Sequence, residues 1–198
     1  MDSPRRVVLA TGNAGKVREI AALLAPLAIE IIPQTQLGIA SADETGDTFE
    51  ANALLKARHA AGASGLPALA DDSGIEVDAL EGRPGVWSAR YAGPAATDAE
   101  NNALMLVELS KVPPARRTAR YRCVIAYVRD AGDPAPLIAS GSWEGTIALA
   151  PEGAGGFGYD PLFIPAGGAV TAAQMSAADK NAVSHRGQAL AALARLLR

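Results

Sequence analysis

The sequence predicts an α/β fold in which helices flank a mixed central β-sheet. Three observations carry that reading. The chain opens with an apolar run, a glycine-containing turn and an amphipathic run, the order expected of strand, loop and helix. Short β-prone runs then recur between stretches of helical periodicity. Finally, a period-two segment over residues 118–128 is followed by a turn and another β-like run, which adds an antiparallel pair to the βαβ opening.

Residues 6–10 form a short, largely apolar run after Arg6 that breaks at Thr11-Gly12-Asn13, after which Val17, Ile20, Ala21 and Leu24 recur at helical spacing over 16–25. Residues 30–32, before Pro33, read as the second strand of a βαβ unit. Asp47 and Glu50 have the spacing of a capping box and open a helix to about Ala61, with Phe49, Ala53, Leu54 and Ala57 at helical intervals. Residues 66–70 and 75–80 read as two strands separated by a turn at Asp71-Asp72-Ser73-Gly74, a composition that favours turns. Thr97 and Glu100 mark a second capping box, for a helix through Leu109 with Leu104, Met105 and Val107 as apolar positions. Tyr121, Cys123, Ile125 and Tyr127 alternate along one strand, residues 130–136 are turn-rich, and a further run reaches Trp143 and Ile147, giving a long hairpin over 117–147. Residues 153–160 form a Gly-rich loop. Ser176 with Asp179, then Ser184, precede an amphipathic helix running to Arg198.

The chain has 198 residues, 49% hydrophobic and 20% charged, which suits one folded domain with a real core. Its 18 Lys and Arg against 21 Asp and Glu leave a net charge of −3, which excludes a strongly basic nucleic-acid coat, so no nucleic-acid partner is expected. The cations are 14 arginines and only 4 lysines: Lys16, Lys56, Lys111 and Lys180. No stretch approaches the roughly 18 apolar residues of a membrane span, and residues 1–6 lead into a short apolar run without a signal-peptide core. No membrane partner and a cytoplasmic location are therefore expected. Cys123, the one cysteine, excludes an intrachain disulfide and a multi-cysteine zinc site, and its place in an alternating strand makes it a small core hydrophobe.

Three segments can carry chemistry. Thr11-Gly12-Asn13-Ala14-Gly15-Lys16 joins a strand to a helix, where backbone N–H groups and a positive dipole favour an anion and Lys16 adds a point charge. It is not a P-loop: its glycines lie too close together, and Val17 stands where a Ser or Thr would hold magnesium. An ordinary β-to-α turn reads equally well from that segment alone. Asp71 and Asp72, at the end of an apolar run, place hard anions where magnesium can bind with water and phosphate oxygens, and Glu44 can supply another carboxylate. A plain turn is the commoner meaning of Asp-Asp-Ser-Gly. The third segment is Phe157-Gly158-Tyr159-Asp160, following Gly156, together with Lys180, His185 and Arg186. Aromatics between glycines can stack on a planar base, and the cations offer donors to carbonyl or phosphate oxygens. The alternative is a Gly-rich loop, a helix-interior lysine and a capping serine at 184. His59, among helix alanines, reads as structural or solvent-facing.

Taken together these segments resemble the inosine/xanthosine triphosphate pyrophosphatases, a family that removes non-standard purine nucleotides from the precursor pool. The matching stretches are residues 11–16, 44–46, 48–50, 52–57, 70–74, 88–93, 156–165 and 175–190, in the family's order along nearly the whole chain. The resemblance implies magnesium-dependent hydrolysis of ITP, dITP and XTP between the α and β phosphates, giving the nucleoside monophosphate and pyrophosphate. It also implies a homodimer whose single domain, residues 1–198, has two lobes and a cleft, one lobe being built around the 117–147 hairpin. Asp72 matches the catalytic carboxylate and metal ligand, and Glu44 its partner at the metal. Thr11, Gly12, Asn13, Ala14, Gly15 and Lys16, with Lys56, match the triphosphate grip. Ser73 matches a substrate contact, and Phe157, Gly158, Tyr159, Asp160, Lys180, His185 and Arg186 match the base pocket. Ala51 stands where many relatives carry a glutamate, so no metal role passes to it; Asp179 replaces a common glutamate with the same charge.

The chemistry is consistent with that assignment. An aspartate of pKa about 3.9 facing water of about 15.7 is short by roughly 12 units, on the order of 16 kcal/mol, so Asp72 cannot be the whole catalyst. A divalent cation, Lys16 and Lys56 must supply the remaining stabilisation. Donors from Lys180, His185 or Arg186 facing a purine 6-oxo group would oppose the amino group of adenine. Guanine shares the 6-oxo group, so its rejection follows from the resemblance alone. Two other readings fit parts of the pattern: a nucleotide sensor that binds without hydrolysis, against which the pairing of Glu44 with Asp72 argues, and a related pyrophosphatase for pyrimidine or modified nucleotides.

Overall fold

The βαβ opening is present in the computed structural model, which describes residues 5–25 and 29–197. The elements are β1 (Arg5–Leu9), α1 (Ala14–Leu24), β2 (Ile29–Pro33), α2 (Phe49–Ser64), β3 (Ala68–Val77), α3 (Asp98–Glu108), β4 (Thr118–Val128), β5 (Leu137–Ile147), β6 (Phe163–Pro165), α4 (Ala177–Val183) and α5 (His185–Leu196). The strands form one sheet in the order β2-β1-β3-β4-β5-β6. β1 runs parallel to β2, with Val7 opposite Ile31, and parallel to β3, with Leu9 opposite Leu69. β6 is antiparallel to β5. β4 and β5 are neighbours joined only by residues 129–136, too short for a crossover, and so form the expected hairpin. The sheet is therefore mixed, as the sequence predicts.

The chain divides into two units, the first comprising residues 1–72, 123–140 and 186–198 and the second 73–122 and 141–185. β3, β4 and β5 each contribute residues to both. The core of the first unit gathers Val7, Leu9, Ile20, Leu24, Leu69, Ile125, Leu190 and Leu193. Cys123 is fully buried among them, as its strand position predicts, and burial pushes its thiol pKa up to about 12. The core of the second unit gathers Ile75, Val77, Met105, Leu109, Tyr121, Trp143, Leu162 and Phe163.

Several expectations are corrected. No turn interrupts residues 71–74: β3 passes through them unbroken as a strand of the sheet, whose pairing outweighs local turn preference. The run over 75–80 ends as strand at Val77, and Asp78–Leu80 is a 3-10 turn. α2 is capped by Thr48 rather than Asp47: the Thr48 hydroxyl accepts the Ala51 N–H at 3.1 Å, and the helix continues three residues past Ala61 to Ser64. α1 begins at Ala14 because the Asn13 side chain caps it. The Thr97–Glu100 capping box forms as predicted, and Ser176 caps α4 through the Asp179 N–H. Arg198, the expected end of the last helix, lies outside the described residues.

Candidate active site

Successive residues of a strand point to opposite faces, so the unbroken course of β3 separates its two aspartates. Asp71 shares a face with Leu69, and Asp72 with Ala70. Each meets a different set of cations. Lys16 Nζ lies 2.8 Å from Asp71 Oδ2, and Arg186 Nε lies 3.4 Å from the same oxygen while its guanidinium also binds Glu19. The side chains of Asp71 and Arg186 are 0% and 2% exposed. Burial opposes the charge on Asp71, but Lys16, Arg186 and Lys56 overcome it and hold the carboxyl well below its ordinary 3.8.

On the other face Lys56 Nζ lies 2.7 Å from Asp72 Oδ1 and 2.7 Å from Glu44 Oε1, bridging the two carboxylates. Burial is the main reason the Asp72 pKa stands above 3.8, and the Glu44 charge adds to it against the pull of Lys56. Burial also disfavours the Lys56 ammonium, yet Asp72, Asp71 and Glu44 together raise its pKa. Asn52 lies one helical turn before Lys56 on α2 and so faces the same way. It is fully buried and donates from Nδ2 to Asp72 Oδ2 at 3.3 Å. Its Oδ1 accepts the Gly46 N–H at 2.8 Å. A Cβ at Gly46 would sit 2.8 Å from Asn52 Oδ1 and 2.8 Å from the Ala51 Cβ, so only glycine permits this approach. One asparagine thus ties the segment carrying Glu44 to the carboxylate of Asp72.

At the start of α1, Asn13 Oδ1 accepts the N–H groups of Gly15 and Lys16 at 2.8 and 3.1 Å, and the Asn13 N–H donates to Thr11 Oγ1. Gly12 and Ala14 are exposed beside them. These amides already have a partner, and the Lys16 ammonium, the one full positive charge of the loop, has its own in Asp71.

The second unit has a different composition. Asp160, 2% exposed, accepts from Lys180 Nζ at 2.6 Å and from the Phe157 N–H at 2.8 Å through Oδ2, while Tyr121 Oη lies 3.4 Å from Oδ1. The Lys180 ammonium stands 4.9 Å from the centre of the Phe157 ring, within cation–π range. Gly156 has φ +74, and a Cβ there would come within 2.0 Å of Asp160 Oδ2. Tyr159 Oη donates to the Ser88 carbonyl at 2.9 Å. His185 stacks on Tyr121 with centroids 4.6 Å apart and planes 6° apart, near Trp143. Ser73 is half-buried on β3.

The structure brings Lys16, Glu44, Lys56, Asp72 and Arg186 into the first unit, and Phe157, Gly158, Tyr159, Asp160, Lys180 and His185 into the second. Arg186, expected with the base residues, binds Asp71 and Glu19 through its guanidinium, and its neighbour His185 stacks on Tyr121. His59 is exposed and contacts the Ala40 carbonyl at 3.0 Å, as its solvent-facing reading predicts. Sequence reasoning gave no role to Asn52, although its four-residue spacing from Lys56 marks a shared face. Glu19 and Tyr121 join the network only through chain-distant contacts that no local pattern signals.

The profile of the Ham1 family matches residues 7–196. The chain is similar to a dITP/XTP pyrophosphatase of Shigella flexneri, 56% identical over 194 residues that cover 98% of both chains. It is also 58% identical to a dITP/XTP pyrophosphatase of Methylococcus capsulatus over 194 residues, covering 98% of this chain and 96% of that one. Among solved structures, a HAM1 protein from Coxiella burnetii superimposes with a TM-score of 0.90 at 50% identity, covering 98% of each chain.

Proposed function

The chain belongs to the Ham1 family, and from that premise we propose that it hydrolyses the non-standard purine triphosphates ITP, dITP and XTP to the nucleoside monophosphate and pyrophosphate. The observation that carries this reading is Lys56 Nζ, held 2.7 Å from both Glu44 and Asp72. Two carboxylates converging on one cationic centre offer few, hard oxygen donors, a set that suits magnesium, which keeps water and phosphate oxygens as its other ligands. Glu44 and Asp72 would hold it. When bound, the metal neutralises phosphate charge and acidifies water. The local charge balance supports the same conclusion: Glu19, Glu44, Asp71 and Asp72 outnumber Lys16, Lys56 and Arg186, and a triphosphate adds further negative charge.

The residues then divide the work. Lys16 and Lys56 face the triphosphate and offset its charge, with Thr11, Gly12, Asn13, Ala14 and Gly15 shaping the loop that presents Lys16. Asp72 orients water and accepts its proton. Oδ1 is engaged by Lys56, so Oδ2, with the longer 3.3 Å contact to Asn52, is the accepting oxygen. The base stacks on the Phe157 ring, where the Lys180–Asp160 pair presents a donor beside an acceptor, while the buried Tyr159 braces the loop through its bond to the Ser88 carbonyl. Hypoxanthine and xanthine match that pair with a 6-oxo group and an N1–H; adenine presents the reverse. Ser73 and His185 complete the substrate contacts. We read residues 1–198 as one two-lobed pyrophosphatase domain working as a homodimer in the cytoplasm. No helix among the described residues is long and apolar enough to cross a membrane.

Pyrophosphate release measured on ITP, dITP, XTP, GTP and ATP tests this reading. It predicts higher kcat/KM for the first three and loss of turnover with EDTA, restored by magnesium. A preference for ATP or GTP would overturn the substrate assignment, and full turnover in EDTA the metal.

A further inference from the structure

The Gly158 peptide is held through both of its polar groups by one helix. Its N–H donates to Asp98 Oδ2 at 2.6 Å, and its carbonyl accepts from Asn102 Nδ2 at 3.0 Å. Asp98 and Asn102 are four residues apart on α3, and so lie one above the other on one face. The capping box of Thr97 and Glu100 fixes the start of that helix, so the two side chains project from a rigid frame. The orientation of the Asn102 amide is unambiguous, because reversing it would set Oδ1 against the Gly158 carbonyl. Gly158 adopts φ +63, a left-handed conformation that these two hydrogen bonds hold in place.

Packing alone does not hold this part of the loop. A cavity of about 470 Å³ is lined by Asp98, Asn102 and Leu106 from α3 and by Gly156, Phe157 and Gly158. With open space at the loop, the two bonds to α3 fix the Gly158 N–H and carbonyl, alongside the Asp160 N–H that donates to the Phe157 carbonyl at 3.3 Å. Phe157 and Asp160 are coupled in turn, since the Phe157 N–H donates to Asp160 Oδ2, which also binds Lys180. A shift of the Gly158 peptide therefore moves the stacking ring relative to the donor–acceptor pair.

We propose that Asp98 and Asn102 are positioning residues for base selection: clamping Gly158 sets the distance and angle between Phe157 and the Lys180–Asp160 pair. The inference rests on the reading that the purine lies on this loop. Neither residue touches the reacting phosphates, so their loss acts on KM and on discrimination between bases more than on kcat.

The test compares wild type with Asn102→Ala, Asp98→Ala and Asp98→Asn, measuring kcat and KM for ITP, GTP and ATP and inhibition by inorganic tripolyphosphate, which carries no base. Removing one hydrogen bond of the clamp should raise KM for ITP by about tenfold and lower the ITP-to-ATP ratio of kcat/KM by a similar factor. Tripolyphosphate inhibition should stay within about twofold, because that probe carries no base for the clamp to select. Asp98→Asn keeps an accepting oxygen and should restore most of the discrimination lost in Asp98→Ala. Asp98 is exposed, so its variants keep the test decisive should Asn102→Ala fail to fold. If KM for all nucleotides and the tripolyphosphate constant rise together, or discrimination stays at the wild-type value, the clamp has no role in base choice. A wild-type enzyme without preference for ITP refutes the functional reading as well; a selective wild type with equally selective variants refutes this inference alone.

Discussion

In the first unit Lys16, Glu19, Glu44, Lys56, Asp71, Asp72 and Arg186 crowd around the middle of β3, whereas in the second the Lys180–Asp160 pair sits among Phe157, Tyr121, Trp143 and His185. Under the proposed function, the difference follows what each unit would bind. Phosphate is recognised by net charge and by hard oxygen ligands, which tolerate little variation in position. A purine offers a flat apolar face and a few edge groups, so stacking supplies affinity and one donor–acceptor pair supplies choice. If this contrast is real, substitutions in the first unit should affect every nucleotide alike, and those in the second should change ratios between nucleotides.

The strongest test is Asp72→Asn. It should lower pyrophosphate release by about 10³-fold or more for ITP, XTP and GTP equally, the loss expected of a general base, while binding of a non-hydrolysable analogue stays close to wild type. Near-normal turnover would remove Asp72 from the chemistry. Next comes Lys180→Gln in the second unit. Loss of a charged donor should reduce the ITP-to-ATP ratio of kcat/KM by up to about 10²-fold, with little change in kcat. An equal fall for ITP and ATP would erase the contrast between the units.

Lysine-to-arginine exchange gives a smaller and more pointed effect. Lys16, Lys56 and Lys180 all bind buried carboxylates, whereas Lys111 is exposed. A guanidinium fork is wider than an ammonium and does not fit between Glu44 and Asp72 at 2.7 Å from each. Lys16→Arg and Lys56→Arg should therefore raise KM by about tenfold for every triphosphate, and Lys111→Arg should match wild type, in steady-state kinetics.

The smallest effect concerns stability rather than activity. Because folding lowers the Asp71 pKa below 3.8, the folded state favours the ionised carboxylate. That stabilisation is complete above the unfolded pKa and is lost as pH falls through the lower folded value. Urea unfolding of wild type and Asp71→Asn should therefore differ by a constant amount above about pH 5, begin to approach one another near pH 4, and converge only as pH falls on toward the folded value. A difference that stays constant through that fall in pH would show that Asp71 stabilises the fold through packing rather than charge.

Local pattern made much of the molecule legible. Apolar periodicity located α1, α2 and α3, the alternation of Tyr121, Cys123, Ile125 and Tyr127 located β4, and Thr97 with Glu100 marked a cap that the structure contains. The residues with charges and aromatic faces suited to a nucleotide were also visible, because their side-chain chemistry is fixed by composition. The sequence alone thus determined the fold class, the list of reactive side chains and the unusual placement of the lysines.

Partnership was decided only by tertiary structure. Asp71 and Asp72 are adjacent in the chain and read as a turn, yet they lie within β3, which its place in the sheet keeps extended, and the alternation of a strand then sends the two carboxylates to opposite faces. Arg186 is drawn to Asp71 and Glu19 across more than a hundred residues of chain, and His185 beside it stacks on Tyr121. Turn preference and motif order are local energies of a fraction of a kcal/mol to about 1 kcal/mol per residue. Completing a sheet and pairing buried charges involve larger energies between distant segments, and those decided which cation each carboxylate meets.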